Sequence, residues 1–198
     1  MEVYLIRHTE TILGKDYCCG QSNIPLQRPF LATHDKIVNN LKIPKAVLYS
    51  SPLERCKQLA NHFRMYNESI QKMHFDDRLK EMNFGDWEMK KWDEINQEQL
   101  NKWMADFVNE KAPRGECFID LNERVKEFFN EMILSSNNES EAIVIITHAG
   151  VIRSILCQIL EIPLRNAFKM PIDFGSTTKI SIDNKSCYQN IGYINRMV

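Results

Sequence analysis

Four short segments bring together residue types able to move a phosphoryl group. Arg7 and His8 directly follow the apolar run Val3 to Ile6. A neutral imidazole can attack phosphorus, and a neighbouring guanidinium grips phosphate oxygens with its planar fork while disfavouring the unreactive imidazolium form. Thr147-His148-Ala149-Gly150 repeats the arrangement after a second apolar run, and the Ala149 and Gly150 amides would open a helix whose positive end favours an anion. Ser51-Pro52-Leu53-Glu54-Arg55 supplies an arginine early in a helix, against the dipole preference and so suited to holding an anion. The stretch Leu79 to Glu88 carries Glu81, Asp86 and Glu88. A carboxylic acid there could protonate the leaving oxygen of an ester, and the pattern does not choose among the three. The remaining histidines, His34, His62 and His74, fall in helical or polar stretches without such a setting.

These residues need a scaffold that ends several strands at one rim. Val3 to Ile6, Ala46 to Tyr49 and Ala142 to Ile146 are continuous, β-branched-rich apolar runs, the pattern of strands buried on both faces. Leu121, Val125, Phe128, Phe129, Met132 and Ile133 share one helical face, as do Val151, Ile152, Ile155, Leu156, Ile159 and Leu160. Alternating strands and helices imply an α/β fold. The expectation is a three-layer α/β/α sandwich around a mostly parallel sheet, in one domain over residues 1–198, with ligands beyond the carboxyl ends of the strands. A further helix is expected from Trp92, Ile95, Trp103 and Phe107, inside a helical cap around 84–118. Its tryptophans either fill the core or line a substrate pocket. Ser135 to Ser140 reads as a polar loop, and the tail from Ser176 to Tyr193 as two short strands around Asp183-Asn184.

Composition narrows the partners. The net charge of −1 leaves no basic surplus for a nucleic-acid backbone. The six cysteines form no CxxC pair and read as free thiols. There is no GxxxxGK[ST] loop. The amino terminus enters an apolar strand without a basic leader or long apolar stretch, so a cytoplasmic protein with no membrane partner is expected.

Taken together, the segments resemble the histidine phosphatase superfamily, the phosphoglycerate mutase-like proteins. The family's Arg-His-Gly-Glu signature resembles Arg7-His8-Thr9-Glu10; its second arginine motif resembles Ser51 to Ala60, its acid motif Leu79 to Glu88 and its second histidine motif Thr147 to Arg153. The resemblance implies that His8 is phosphorylated, that Arg7, Arg55 and a protonated His148 surround the phosphate, that Glu81 is the proton donor, and that no metal or cofactor takes part. Tyr17 to Leu26, Phe84 to Met89 and Pro113 to Glu116 look like the α-ribazole phosphatase branch, implying a small-molecule phosphomonoester substrate from cobalamin assembly, with Gln21 and Ser22 near its mouth and a homodimer possible. Mutases of the family carry longer insertions, so hydrolysis is expected. Two departures stand out: Thr9 replaces the usual glycine, and Gly14 stands where many relatives carry asparagine.

Overall fold

The computed structural model describes residues 1–135, 142–183 and 188–197. Its strands are β1 (Glu2–Arg7), β2 (Ala46–Ser50), β3 (Ile70–Phe75), β4 (Ala142–Thr147), β5 (Thr177–Ile182) and β6 (Gln189–Arg196). They form one sheet in the order β3-β2-β4-β1-β5-β6. Pairing is parallel from β3 through β1 and antiparallel on either side of β5. The helices are α1 (Leu31–Asn40), α2 (Glu54–Tyr66), α3 (Gln97–Ala105), α4 (Phe118–Ser135) and α5 (Ala149–Ile159).

Strand alternation divides the interior into two apolar layers. Val3, Leu5, Ile143 and Ile145 point to one face and pack with Leu121, Val125 and Phe128 of α4 and Val151, Ile152 and Ile155 of α5. Tyr4, Ile6, Val144 and Ile146 point to the other and meet Ile37 and Val38 of α1 and Leu59 and Phe63 of α2. Burial on both sides explains why Val3 to Ile6 of β1 and Ala142 to Ile146 of β4 are apolar without interruption. Helices on both faces of a mostly parallel sheet are the expected three-layer fold.

Register positions the site. Arg7 lies opposite Thr147, and Ser50 opposite Ile146. The His8 amide donates to the Thr147 carbonyl at 3.0 Å and the Ser51 amide to the Ile146 carbonyl at 3.0 Å. The central strands β1, β4 and β2 therefore end level, and His8, His148 and Ser51 leave the sheet side by side.

Three sequence expectations differ from what is observed. The helix expected from Trp92, Ile95, Trp103 and Phe107 is α3, which holds only Trp103; the Asn96 side chain accepts the Gln99 amide and starts the helix after Trp92 and Ile95. The aromatic cluster is thus assembled from loops around a short helix. Strand β3 was not expected, because as an edge strand it exposes most of its residues. His74, placed by the sequence in a helical or polar stretch, lies on this strand, stacked on Tyr49. In the tail, β5 and β6 appear; Asn184, most of the stretch read as a Ser135 to Ser140 loop and Cys187 lie outside the described residues. Cys18, Cys19, Cys56, Cys117 and Cys157 are free. Among the described residues no helix is long and apolar enough to cross a membrane.

Candidate active site

The carboxyl ends of β1 and β4, with the start of α2, build a cationic floor. His8 is buried, and its ring lies 5.0 Å from that of His148, centroid to centroid, in an edge-on arrangement. His8 Nδ1 is 2.7 Å from the Thr9 carbonyl, and Arg55 Nε donates to His8 Nε2 at 3.2 Å. A carbonyl only accepts and a guanidinium only donates, so both bonds require the neutral imidazole with its proton on Nδ1. That tautomer leaves the Nε2 lone pair as the reactive atom. Burial, reinforced by the Arg55 and Arg7 charges, holds His8 well below the usual imidazole range.

Arg7 spends Nη1 on the Ile172 carbonyl at 2.6 Å and stacks 3.7 Å from the centre of the Phe174 ring. Its buried Nε has no protein partner among the described residues, and the guanidinium, which lines the cavity, keeps donors for a ligand. His148 sits behind His8, fully buried, with Nε2 2.8 Å from Ser51 Oγ. The sequence reading expected it protonated. Burial first, then the Arg55, His8 and Arg7 groups, push it well below the usual imidazole range, so the proton depends on the charge of a bound phosphate. Cys56 touches this ring at 3.5 Å but is no rival nucleophile, because burial pushes its thiol up to about 12.

The choice among three carboxylates becomes visible in their contacts. Asp86 pairs with Arg114, away from the floor. Glu88 accepts from the amides of Gln21, Ser22 and Phe84 and from the Ser22 hydroxyl. Glu81 alone of the three lines the catalytic cavity. Its Oε1 accepts the Met82 amide at 3.0 Å and its Oε2 the Gly150 amide at 3.2 Å. The start of α5, expected to attract a ligand anion, thus holds the protein's own carboxylate. A Cβ at position 150 would stand 2.2 Å from Glu81 Oε1, so only glycine admits this approach. Arg124 fixes the segment from outside, donating to the carbonyls of Arg78, Lys80 and Glu81 while pairing with Glu116.

Gln21 and Ser22 flank the cavity without lining it. The Gln21 side chain donates to the Glu81 carbonyl at 3.0 Å, and Ser22 is tied to Glu88. Their loop in turn holds Arg55, whose Nη1 and Nη2 donate to the Ser22 and Gly20 carbonyls at 2.8 and 2.6 Å. Gly20 has a φ of +47°, and a Cβ there would collide with the Glu88 carboxylate. Arg55 is therefore anchored through both Nη atoms and reaches the floor with its Nε donating to His8.

Sequence reasoning missed the parts played by three residues. Arg153 lines the cavity, with Nε on the Met170 carbonyl at 3.0 Å and its guanidinium 4.9 Å from the Phe168 ring centre. It lay within a quoted motif, but nothing local marked it. Glu88 is a brace on residues 66 positions away. His34, read as unremarkable, is fully buried with Nε2 3.0 Å from Thr9 Oγ1. The unusual residue after His8 is thus anchored from α1, and its carbonyl is the one that holds the His8 ring.

The cavity above the floor measures about 390 Å³. Tyr17, Phe84, Trp92, Phe118, Phe168 and Phe174 form its wall, and Lys15, paired with Asp173 at 3.2 Å, stands at its edge.

The adenosylcobalamin/alpha-ribazole phosphatase of Salmonella typhimurium is 26% identical over 192 residues, covering 92% of this chain and 91% of that protein. The solved alpha-ribazole phosphatase of Shigella flexneri superposes with a TM-score of 0.86 at 25% identity, over 100% of this chain and 98% of that one. A mycobacterial glucosyl-3-phosphoglycerate phosphatase shares the fold with a TM-score of 0.81 at 21% identity, over 98% of both chains. Because residues 3–190 match the sequence model of the Histidine phosphatase superfamily (branch 1), the chain belongs to that superfamily and is one of its phosphatases.

Proposed function

We propose that the chain hydrolyses phosphomonoesters through a phosphorylated His8, and that its substrate is α-ribazole 5′-phosphate. The observation carrying the chemistry is the pair of hydrogen bonds that hold His8 as the neutral Nδ1–H tautomer with Nε2 toward the cavity. In the first step Nε2 attacks phosphorus in line with the ester oxygen, and the P–O bond to the alcohol breaks. Glu81 gives that oxygen its proton. The Arg55 Nε–H passes from His8 to a phosphoryl oxygen, and Arg7 Nε supplies a second donor. Positive charge from Arg7, Arg55 and Arg153 stabilises the transferring group in a site screened from water. An arriving phosphate dianion also reverses the field at His148, which then takes up a proton from solvent and donates it in a hydrogen bond to the phosphate. In the second step water attacks the phosphohistidine, Glu81 accepts the water's proton, and phosphate leaves with His8 restored.

The aromatic wall supports the substrate. A ribose bearing an uncharged aromatic base matches Tyr17, Phe84, Trp92 and Phe168 better than a bare sugar phosphate does, and segment 84–118 acts as the cap that carries Phe84 and Trp92. The test is a comparison of kcat/KM for α-ribazole 5′-phosphate, glucose 6-phosphate and 3-phosphoglycerate at one pH. Burial of the base should favour the first by about 10- to 100-fold. Equal or better turnover of either other substrate contradicts the assignment.

A further inference from the structure

The tautomer of His8 depends on a backbone carbonyl, and that carbonyl belongs to Thr9, the residue that stands in place of the usual glycine. Hydrogen bonds fix the His8 backbone on both sides: its amide donates to the Thr147 carbonyl at 3.0 Å, and its own carbonyl accepts the Gly175 amide at 3.1 Å. The Thr9 carbonyl lies one peptide further on, where the chain has left the sheet, and the torsions of Thr9 set its direction. If it turned away, His8 Nδ1 would lose its acceptor at 2.7 Å. Only the Arg55 bond would then oppose a shift of the ring proton to Nε2, which would remove the attacking lone pair.

The Thr9 side chain is where those torsions are held. It is buried, its methyl faces Gly175 close to Thr33 and Ile37 of α1, and its hydroxyl lies 3.0 Å from His34 Nε2. His34 is fully buried, with its ring between Phe30 at 5.2 Å and His62 at 5.4 Å, and His62 is in turn paired with Asp35 at 2.7 Å. Burial keeps the His34 imidazole neutral. A hydroxyl both donates and accepts, so the pair holds in either tautomer of His34. A β-branched side chain has few rotamers, and tying its oxygen selects one of them; a glycine offers no such handle.

We infer that His34 is a positioning residue for the phosphatase reaction: through the Thr9 hydroxyl it holds the Thr9 carbonyl against His8 Nδ1 and so keeps the Nε2 lone pair available for attack. The device needs a hydroxyl directly after the nucleophile, which gives the departure at Thr9 a use. The inference rests on His8 as the nucleophile.

Substitutions at both ends of the link test it. Thr9→Val removes the hydroxyl and keeps the branched shape; His34→Phe removes the ring nitrogens and keeps the ring. Single-turnover phosphorylation by p-nitrophenyl phosphate should slow by about 3- to 30-fold in each, with KM within about twofold of the native value. The double substitution should be no slower than the slower single one, because both break the same bond. Thr9→Ser and His34→Gln, which keep a bonding group at each end, should recover most of the loss. Nitrogen-15 spectra of histidine-labelled, ligand-free enzyme should show His8 as the Nδ1–H tautomer in the native protein and a mixture of tautomers in Thr9→Val and His34→Phe. Either end suffices should the other variant not fold. Native rates in the variants, losses that multiply in the double, or slowing with the His8 tautomer intact overturn the assignment. Label on a residue other than His8, with the tautomer still governed by the Thr9–His34 pair, strikes the nucleophile reading and leaves the link standing. Label on His8, with rates and tautomer indifferent to the pair, does the reverse.

Discussion

The floor around His8 and the wall around Trp92 occupy the same cavity but are built by opposite means. On the floor nearly every polar atom is directed by another: Thr9 and Arg55 orient His8, Ser51 meets His148, two amides hold Glu81, and Glu88 braces the loop behind Arg55. The wall is held by ring packing, with few hydrogen bonds directing it. Hydrogen bonds fix an atom to a few tenths of an ångström and ring packing fixes a shape, so the floor sets the reaction and the wall sets what is presented to it. Changes to the floor should therefore alter kcat for every substrate, and changes to the wall should alter the choice among substrates.

The sharpest contrast is expected at Glu81. Glu81→Gln should slow phosphoenzyme formation from an alkyl phosphate by about 10²–10⁴-fold. The same step with p-nitrophenyl phosphate, whose leaving group needs no proton, should slow far less. Single-turnover kinetics measure both, and equal slowing removes Glu81 as the acid. Gly150→Ala comes next: its methyl group displaces the Glu81 carboxylate, so kcat should fall by about 10- to 100-fold with KM little changed. An unchanged kcat means the acid tolerates displacement. On the wall, Trp92→Ala should raise KM for substrates bearing a ring by about tenfold while sparing kcat. A loss of kcat there breaks the division between floor and wall.

The smallest effect concerns stability. His34 is held at about 4, against 6.5 for a free histidine, first by burial and then by neighbouring His62. A group whose folded value is depressed in this way stays neutral in the native protein while the unfolded chain takes up the proton. Its contribution is complete above pH 6.5 and falls as pH drops toward 4, at about 1.4 kcal/mol per pH unit. His34→Gln should flatten the dependence of denaturant-measured stability on pH in that window by about this slope. An identical slope in both proteins shows that His34 is protonated when folded.

Much of this was legible in the sequence, for definite reasons. Strands β1 and β4 are buried on both faces, so continuous apolar runs announce them, and residues just beyond such runs must reach the rim; hence Arg7, His8 and His148. Strand β3 hid because an edge strand exposing Gln71, Lys72, His74 and Phe75 leaves no alternation to read. Trp92 and Trp103 misled because loops place aromatic residues at helical spacing by tertiary packing. One lines the catalytic cavity and the other belongs to the core, so neither simple alternative describes both. The selection of Glu81 needed family likeness, since Asp86 and Glu88 differ from it only in contacts distant along the chain. The link from His34 through Thr9 to His8 joins positions 25 apart and leaves no local signature.

The central claim is that a neutral His8 carries the phosphoryl group. Rapid mixing of the enzyme with an isotopically labelled phosphomonoester, quenching in base and peptide mapping test it directly. The label should appear on the His8 peptide within one turnover, be stable to base and labile to acid, and be absent from His8→Ala, which should turn over nothing. Label on any other residue, or appreciable steady turnover by His8→Ala, contradicts the account.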